Sequence, residues 1–310
     1  MGKLKDYIIL ARPFTLCAPL VGFIAFGLVA WSSDINLPFS WHVLYPILLA
    51  AFSASILNAA SNILNQIFDR EIDRINKPAR PLPAGRITVK SAAILMAALY
   101  LASTTLAWLV PNKQYFAIFI FTIFVTYAYS GPPFRTKRFG FLANLTMAIP
   151  RGGLLVVGAW SAVRSINILE PWLLSLVFFL FILGASTTKD FSDLAGDRAG
   201  GCRTLPIIMG VRRAVIAIIP SFIVPFVLLS VFALLRWLSG SYWLLAIIGF
   251  ILALWGMYIS YLLLRRPEEL CVEENHISWK HMYLLMLFAQ VSICTAYLLH
   301  KLAQWGYFRL

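Results

Sequence analysis

Six of the thirteen acidic residues fall in two short stretches, and the spacing inside each is that of one helix face. In Asn65-Gln-Ile-Phe-Asp69-Arg-Glu-Ile-Asp73, the residues Asn65, Asp69 and Asp73 recur at i, i+4 and i+8. In Lys189-Asp190-Phe-Ser-Asp193-Leu-Ala-Gly-Asp197, the aspartates Asp190, Asp193 and Asp197 recur at i, i+3 and i+7. Side chains so spaced stack along one side of a helix, where like charges repel by a few tenths of a kcal/mol even when exposed. A counter-ion is implied. With oxygen donors and no His or Cys beside them, both stretches suit a hard cation, and Mg²⁺ characteristically combines one or two carboxylates with substrate phosphate and water. Two such clusters facing one another would hold Mg²⁺ ions that bridge a diphosphate. The competing reading is a pair of solvated loops whose acids bind Arg70, Arg74 and Arg198.

The elements that must position these stretches are apolar. Of 310 residues 60% are hydrophobic and 13% charged, against roughly 25% charged in soluble domains, so a water-soluble domain is excluded. Segments long enough to cross a hydrocarbon core, which takes ~20 helical residues, lie at about 12–31, 43–67, 89–110, 115–130, 141–163, 170–189, 213–236, 241–264 and 280–302. The expectation is an all-α integral membrane protein, one domain over residues 1–310, with nine helices around a central cavity. Lys3 and Lys5 precede a first apolar run too long for a signal-peptide core, so it is read as a membrane helix.

The formal charge of +13 does not indicate nucleic acid, because the basic residues are spread among short loops between apolar segments. Twenty of the 26 Lys and Arg fall at the N-terminus and after the second, fourth, sixth and eighth helices, which places those ends in the cytoplasm. Both acidic stretches lie on that side. Cys17, Cys202, Cys271 and Cys294 show no CxxC spacing and read as free thiols. His42, His276, His281 and His300 lack metal-ligand spacing and read as interfacial.

Asn65-xxx-Asp69-xxx-Asp73, continuing as Arg74-Ile-Asn-Lys-Pro-Ala-Arg-Pro-Leu-Pro-Ala-Gly85, resembles the first signature of the UbiA superfamily of intramembrane prenyltransferases. Lys189-Asp190-xx-Asp193-xx-Gly196-Asp197-Arg198, continuing to Arg203-Thr-Leu-Pro206, resembles the second. Tyr129-Ser-Gly-Pro-Pro-Phe-Arg135-Thr-Lys137 is similar to the stretch after the family's fourth helix. The resemblance implies a helical bundle opening laterally to lipid, and Mg²⁺-dependent transfer of an isoprenyl group from its diphosphate to a lipophilic or aromatic acceptor. It implies metal positions at Asn65, Asp69, Asp193 and Asp197, with Asp73 and Asp190 supporting. It also implies diphosphate contacts from Arg135 and Lys137. Within the family, the motifs look most like members that add geranylgeranyl to geranylgeranylglyceryl phosphate, with chlorophyllide, homogentisate and hydroxybenzoate as other acceptors.

Beside the motifs, Arg12 and Lys189 are expected near the diphosphate, Arg12 otherwise snorkelling to the membrane surface. Arg80 and Arg86 read as topology markers. Arg151 lies about ten residues into the fifth segment, in Pro150-Arg151-Gly152-Gly153, where an ionisable group usually faces the bundle interior. It reads either as an acceptor contact or as a packing residue. Tyr127, Tyr129 and Phe68 are candidates for an electron-rich wall around an allylic cation. An ion-coupled transporter is the alternative of another class, disfavoured because the acids cluster at one membrane edge rather than the midplane.

Overall fold

The computed structural model describes residues 2–272 and 276–307, so the C-terminal tail with Arg309 and Leu310 lies outside the described residues. Helix α1 (Gly2–Ala11) precedes a left-handed Arg12, a 3₁₀ turn at Pro13–Leu16, and α2 (Cys17–Ser32). Then follow α3 (Trp41–Phe68), α4 (Arg70–Asn76), α5 (Val89–Trp108) and α6 (Lys113–Ser130). The fifth expected segment is α7 (Gly140–Ala148), a π turn at Ile149–Gly153, and α8 (Leu154–Ser161). The sixth is α9 (Glu170–Ala185) and α10 (Thr187–Ser192), which lead into α11 (Leu194–Ala199) and α12 (Leu205–Met209). Helices α13 (Val211–Ile218), α14 (Pro220–Leu234), α15 (Tyr242–Arg265) and α16 (Ile277–Gln304) complete the chain.

Side-chain caps set several of these starts. Thr88 Oγ1 accepts the Ser91 N–H at 3.1 Å before α5, and Asn112 Oδ1 accepts that of Gln114 at 2.9 Å before α6. His276 is buried and accepts the Ser278 N–H before α16, so this histidine is a cap rather than an interfacial group. Among the described residues, eight helical stretches are long and apolar enough to cross a membrane. The fourth expected segment, α6, is a helix of 18 residues outside those eight, and Lys113 and Gln114 open it with polar side chains.

The helices close a ring. Going round, α2 packs on α3, α3 on α6, α6 on α7 and α8, α8 on α9, α9 on α14, α14 on α15, α15 on α16, and α16 on α2, while α5 lies against α3 and α6. Outward-facing residues such as Ile94, Leu101, Phe121, Phe250 and Phe288 are exposed, as a lipid-facing surface requires. From the level of Gly22, Leu155 and Gln290 towards one end, the ring is filled by buried Phe23, Phe26, Tyr115, Trp160 and Phe178. The Phe26 and Phe178 rings meet edge to face at 5.1 Å.

That end is closed by Lys301, in the last turn of α16. Its ammonium is buried, donates to the carbonyls of Trp31, Asp34 and Leu37 at 2.7–2.9 Å, and sits 3.9 Å from the Trp31 ring. Three carbonyl acceptors and an aromatic face replace the water that the charge has lost. The acidic stretches lie at the other end.

Candidate active site

Each acidic stretch breaks its helix at the central aspartate, where one continuous face was expected. Asp69 stands between α3 and α4 at φ −96°, ψ 11°, and Asp193 between α10 and α11 at φ −98°, ψ 6°. The backbone stays close to helical, since Asp69 N–H reaches Asn65 O at 2.9 Å and Asp197 N–H reaches Asp193 O at 3.0 Å. Both breaks leave the bridge region of φ,ψ space occupied, a conformation frequent at active sites. Helices α4 and α11 then pack together. Asn76 stitches them: its Nδ2 donates to the Asp193 carbonyl at 2.8 Å and its Oδ1 accepts the Gly196 N–H at 2.7 Å. A Cβ at Gly196 would sit 2.6 Å from that amide, so only glycine fits.

The resulting cleft is lined by Asn65, Asp69, Asp73, Tyr129, Lys137, Lys189, Asp190, Asp193 and Asp197, nine of the thirteen site residues expected from sequence. Asp69 Oδ2 accepts from Lys137 Nζ at 2.5 Å and from Asn65 Nδ2 at 2.7 Å, and its Oδ1 from Arg135 at 3.2 Å. Arg80 donates to Asp73 at 2.6 Å, and Lys77 to Asp193 at 2.8 Å, with Lys189 3.7 Å from the other Asp193 oxygen. Arg70 and Arg74 instead hold the exposed Glu71, so the solvated-loop pairing does not describe the aspartates. Arg198 has no acidic partner among the described residues, and Arg86 binds Asp6.

The charge balance is uneven. Burial pushes the Asp197 carboxyl up, Lys137 at 4.0 Å opposing this only in part. Burial acts the same way on Asp193, but Lys189 and Lys77 outweigh it and hold that carboxyl below its ordinary value. For Lys137, burial lowers the ammonium and the attraction of Asp69 and Asp197 more than reverses this. Thr204 Oγ1, also lining the cleft, is buried without a partner. Among the described residues no three carboxylates converge tightly enough to hold an ion alone. The all-oxygen donor set, with Asp197 under-neutralised, fits a hard cation shared with an anionic ligand.

Several expectations need correction. Arg80, read as a topology marker, also pairs with the cleft aspartate Asp73. The Arg12 guanidinium does not snorkel: its Nη2 is buried with no partner, and burial, with Arg80 adding to it, lowers its pKa to about 10. Tyr127 is turned from the cleft, donating to the Pro132 carbonyl at 2.8 Å with its ring against Gly131, so it locks the turn instead of forming a wall. Phe68 contributes its carbonyl, which accepts from Arg135 at 3.0 Å. Lys77, Asn76, Asn144, Ser186 and Thr204 were not anticipated. Lys77 stood in the basic turn after the first acidic stretch, whereas the others carried no distinguishing local pattern.

A ring of apolar helices with a carboxylate and ammonium cleft at one end defines a membrane-embedded protein built to bind a charged group beside an apolar chain. A sequence profile of the UbiA prenyltransferase family matches residues 20–273, and the chain belongs to that family. Digeranylgeranylglyceryl phosphate synthase of Methanosphaera stadtmanae is 30% identical over 249 residues, 80% of this chain and 86% of the relative. The synthase of the same name from Methanococcus aeolicus is 32% identical over 79% of this chain and 82% of its own length. A solved UbiA homolog from Archaeoglobus fulgidus, bound to DMAPP and Mg²⁺, is 20% identical with TM-score 0.71, covering 94% of this chain and 99% of its own. A structure described for digeranylgeranylglyceryl phosphate synthase in membranes matches with TM-score 0.68 at 24% identity, covering 96% of this chain and 99% of its own.

Proposed function

We propose that the protein is a Mg²⁺-dependent prenyltransferase that adds a geranylgeranyl group to geranylgeranylglyceryl phosphate, with its cleft facing the cytoplasm. The observation that carries this reading is the pair of helix breaks at Asp69 and Asp193, which bring two carboxylate sets and their lysines together at the mouth of an apolar ring. The relatives' shared product name supports the acceptor, since a glyceryl phosphate with two geranylgeranyl chains arises by adding one chain to a precursor with one.

In the reaction, the bond from the allylic C1 to the diphosphate oxygen breaks and its electron pair leaves with the diphosphate. The acceptor hydroxyl oxygen bonds to C1 and releases its proton, so the products are an ether, diphosphate and H⁺. Asn65, Asp69, Asp193 and Asp197 would hold Mg²⁺, which when bound supplies Lewis-acid neutralisation of the leaving group. Lys137, Lys77, Lys189 and Arg135 add fixed positive charge around the departing oxygens. The Tyr129 ring lines the cleft and offers an electron-rich face to the allylic cation.

The test is the mass of the product formed by purified protein given geranylgeranyl diphosphate, Mg²⁺ and a panel of acceptors. The expected product is the doubly prenylated glyceryl phosphate; exclusive prenylation of homogentisate or hydroxybenzoate would replace the lipid acceptor with an aromatic one. The orientation, with α6 as a ninth crossing, has its own check. A reporter inserted at the exposed Gly85 turn should read as cytoplasmic and one fused after Leu310 as external, whereas the same side for both would refute an odd number of crossings.

A further inference from the structure

The Thr204 hydroxyl lines the cleft, yet the side chain is only 4% exposed and Oγ1 has no hydrogen-bond partner. Among the described residues it is the one such atom in the cleft lining. The other buried unpartnered side-chain atoms belong to Arg12, Tyr100, Arg135, Trp160 and Gln290, none of which lines the cleft. A buried hydroxyl left unpaired is costly, and native structures seldom keep one without a use for it.

The local sequence explains why this hydroxyl is free. A threonine just before a helix ordinarily turns its oxygen onto the N–H of the second or third helical residue. Thr204 occupies that position before α12, with an extended backbone at φ −66° and ψ 160°, and makes no such bond. The second helical residue is Pro206, which has no N–H to give. The third, Ile207, donates its N–H to the Thr204 carbonyl at 3.0 Å. The order Thr-Leu-Pro therefore withdraws both usual donors, and Oγ1 is left to the cleft.

The backbone that carries Thr204 is pinned on both sides. Cys202 N–H reaches back to the Asp197 carbonyl at 2.8 Å, and Arg203 N–H crosses to the Arg138 carbonyl at 3.0 Å. Arg203 and Phe139 form an isolated parallel bridge. Gly140, at φ +42°, opens α7 beside it, and a Cβ there would lie 3.0 Å from the Arg203 carbonyl, so glycine lets the two loops close on one another. Thr204 thus shares one frame with Asp197 of α11 and with the loop that carries Arg135 and Lys137.

We propose that the Thr204 hydroxyl donates a hydrogen bond to a diphosphate oxygen of the prenyl donor, which makes Thr204 a further substrate-contacting residue of the transfer reaction. This rests on the prenyltransferase reading above. The cleft's lysines are held by aspartates, whereas Oγ1 is held by nothing and can turn its proton to an entering anion. A fixed neutral donor adds no charge to the cleft, and its bond strengthens as negative charge builds on the departing oxygens.

The test uses the full chain in nanodiscs, with inorganic diphosphate as the probe in the presence of Mg²⁺, and with geranylgeranyl diphosphate and geranylgeranylglyceryl phosphate for transfer. Thr204→Val keeps the shape of the side chain and removes the hydroxyl, and Thr204→Ser keeps the hydroxyl. Thr204→Val is expected to weaken inorganic diphosphate binding, and to lower kcat/KM for the prenyl donor, by about 10- to 100-fold, the range of a hydrogen bond to a charged group. Thr204→Ser should stay within about threefold of wild type, and KM for the lipid acceptor within about twofold in both variants, since neither change touches the acceptor. Without ligand, the unfolding midpoint of Thr204→Val should equal or exceed that of wild type, because an unpaired buried hydroxyl has been removed. If the valine variant does not fold, Thr204→Ala, which only truncates, carries the same expectation for diphosphate. Diphosphate binding unchanged in the variants that lack the hydroxyl, or equally poor in Thr204→Ser, would overturn the assignment. So would a loss confined to the acceptor, or one confined to the Mg²⁺ concentration at half-saturation, which would make the hydroxyl a metal ligand. Each of these leaves the prenyltransferase reading intact; wild-type protein that transfers no prenyl group would overturn that reading, and the role of Thr204 with it.

Discussion

Asp69→Asn and Asp193→Asn are each expected to lower prenyl transfer by about three orders of magnitude or more while the purified protein remains folded. The substitution keeps the shape and one acceptor oxygen but removes the charge that a divalent cation needs. A Lewis-acid contribution of several kcal/mol is at stake, and every 1.36 kcal/mol is a factor of ten in rate. In Asp69→Asn the Lys137 ammonium still faces an oxygen and keeps Asp197 4.0 Å away, and in Asp193→Asn the Lys77 ammonium still faces an oxygen, so each variant is expected to lose part of its unfolding midpoint yet stay folded. Thermal unfolding in detergent would show whether the loss of transfer comes without loss of fold. Glu71→Gln is the control: this acid sits in the same stretch, but it is exposed and occupied by Arg70 and Arg74, so transfer should be unchanged. EDTA on wild-type protein should reproduce the aspartate variants. Full transfer in EDTA, or in both aspartate variants, would remove the metal from the mechanism.

What could be read before the structure was whatever is local along the chain. Apolar runs of membrane length gave helix positions within a few residues, as with 43–67 against Trp41–Phe68, because the hydrocarbon core constrains every residue of a span alike. The acids were legible because six carboxylates at two loop ends stand out in a chain with only thirteen. Their partners were not. Lys77 meets Asp193 across 116 positions and Lys137 meets Asp69 across 68, and spacing does not encode such pairings. Nor did helical spacing reveal the breaks at Asp69 and Asp193, since i to i+4 backbone bonds persist through each. Arg12 and Lys301 looked like ordinary basic residues at helix ends. One is buried by three amides of α3 arranged at i, i+4 and i+8, and the other by carbonyls of a loop more than 260 positions away.

The pairing at Lys137 gives the second large effect. Its side chain and that of Asp69 are both almost fully buried, 2.5 Å apart, and Asp197 lies 4.0 Å on the other side. Removing one partner of a buried ion pair typically costs about 3–5 kcal/mol, because the remaining charge is left without compensation. Lys137→Met is therefore expected to lower the unfolding midpoint sharply and to abolish transfer. Arg135, 3.2 Å from the other Asp69 oxygen, still compensates part of that charge and holds the loss towards the lower end of this range. Removing the under-compensated charge as well should restore stability: the Lys137→Met, Asp69→Asn double variant is expected to regain most of the lost midpoint without regaining transfer. That split separates two contributions of the same ammonium. As a counter-ion to Asp69 it is replaceable by neutralising Asp69, whereas as fixed positive charge facing a diphosphate it is not. A double variant no more stable than Lys137→Met alone would mean that the lysine stabilises the fold through its packed alkyl stem, and the electrostatic account of the cleft would have to be withdrawn at this residue.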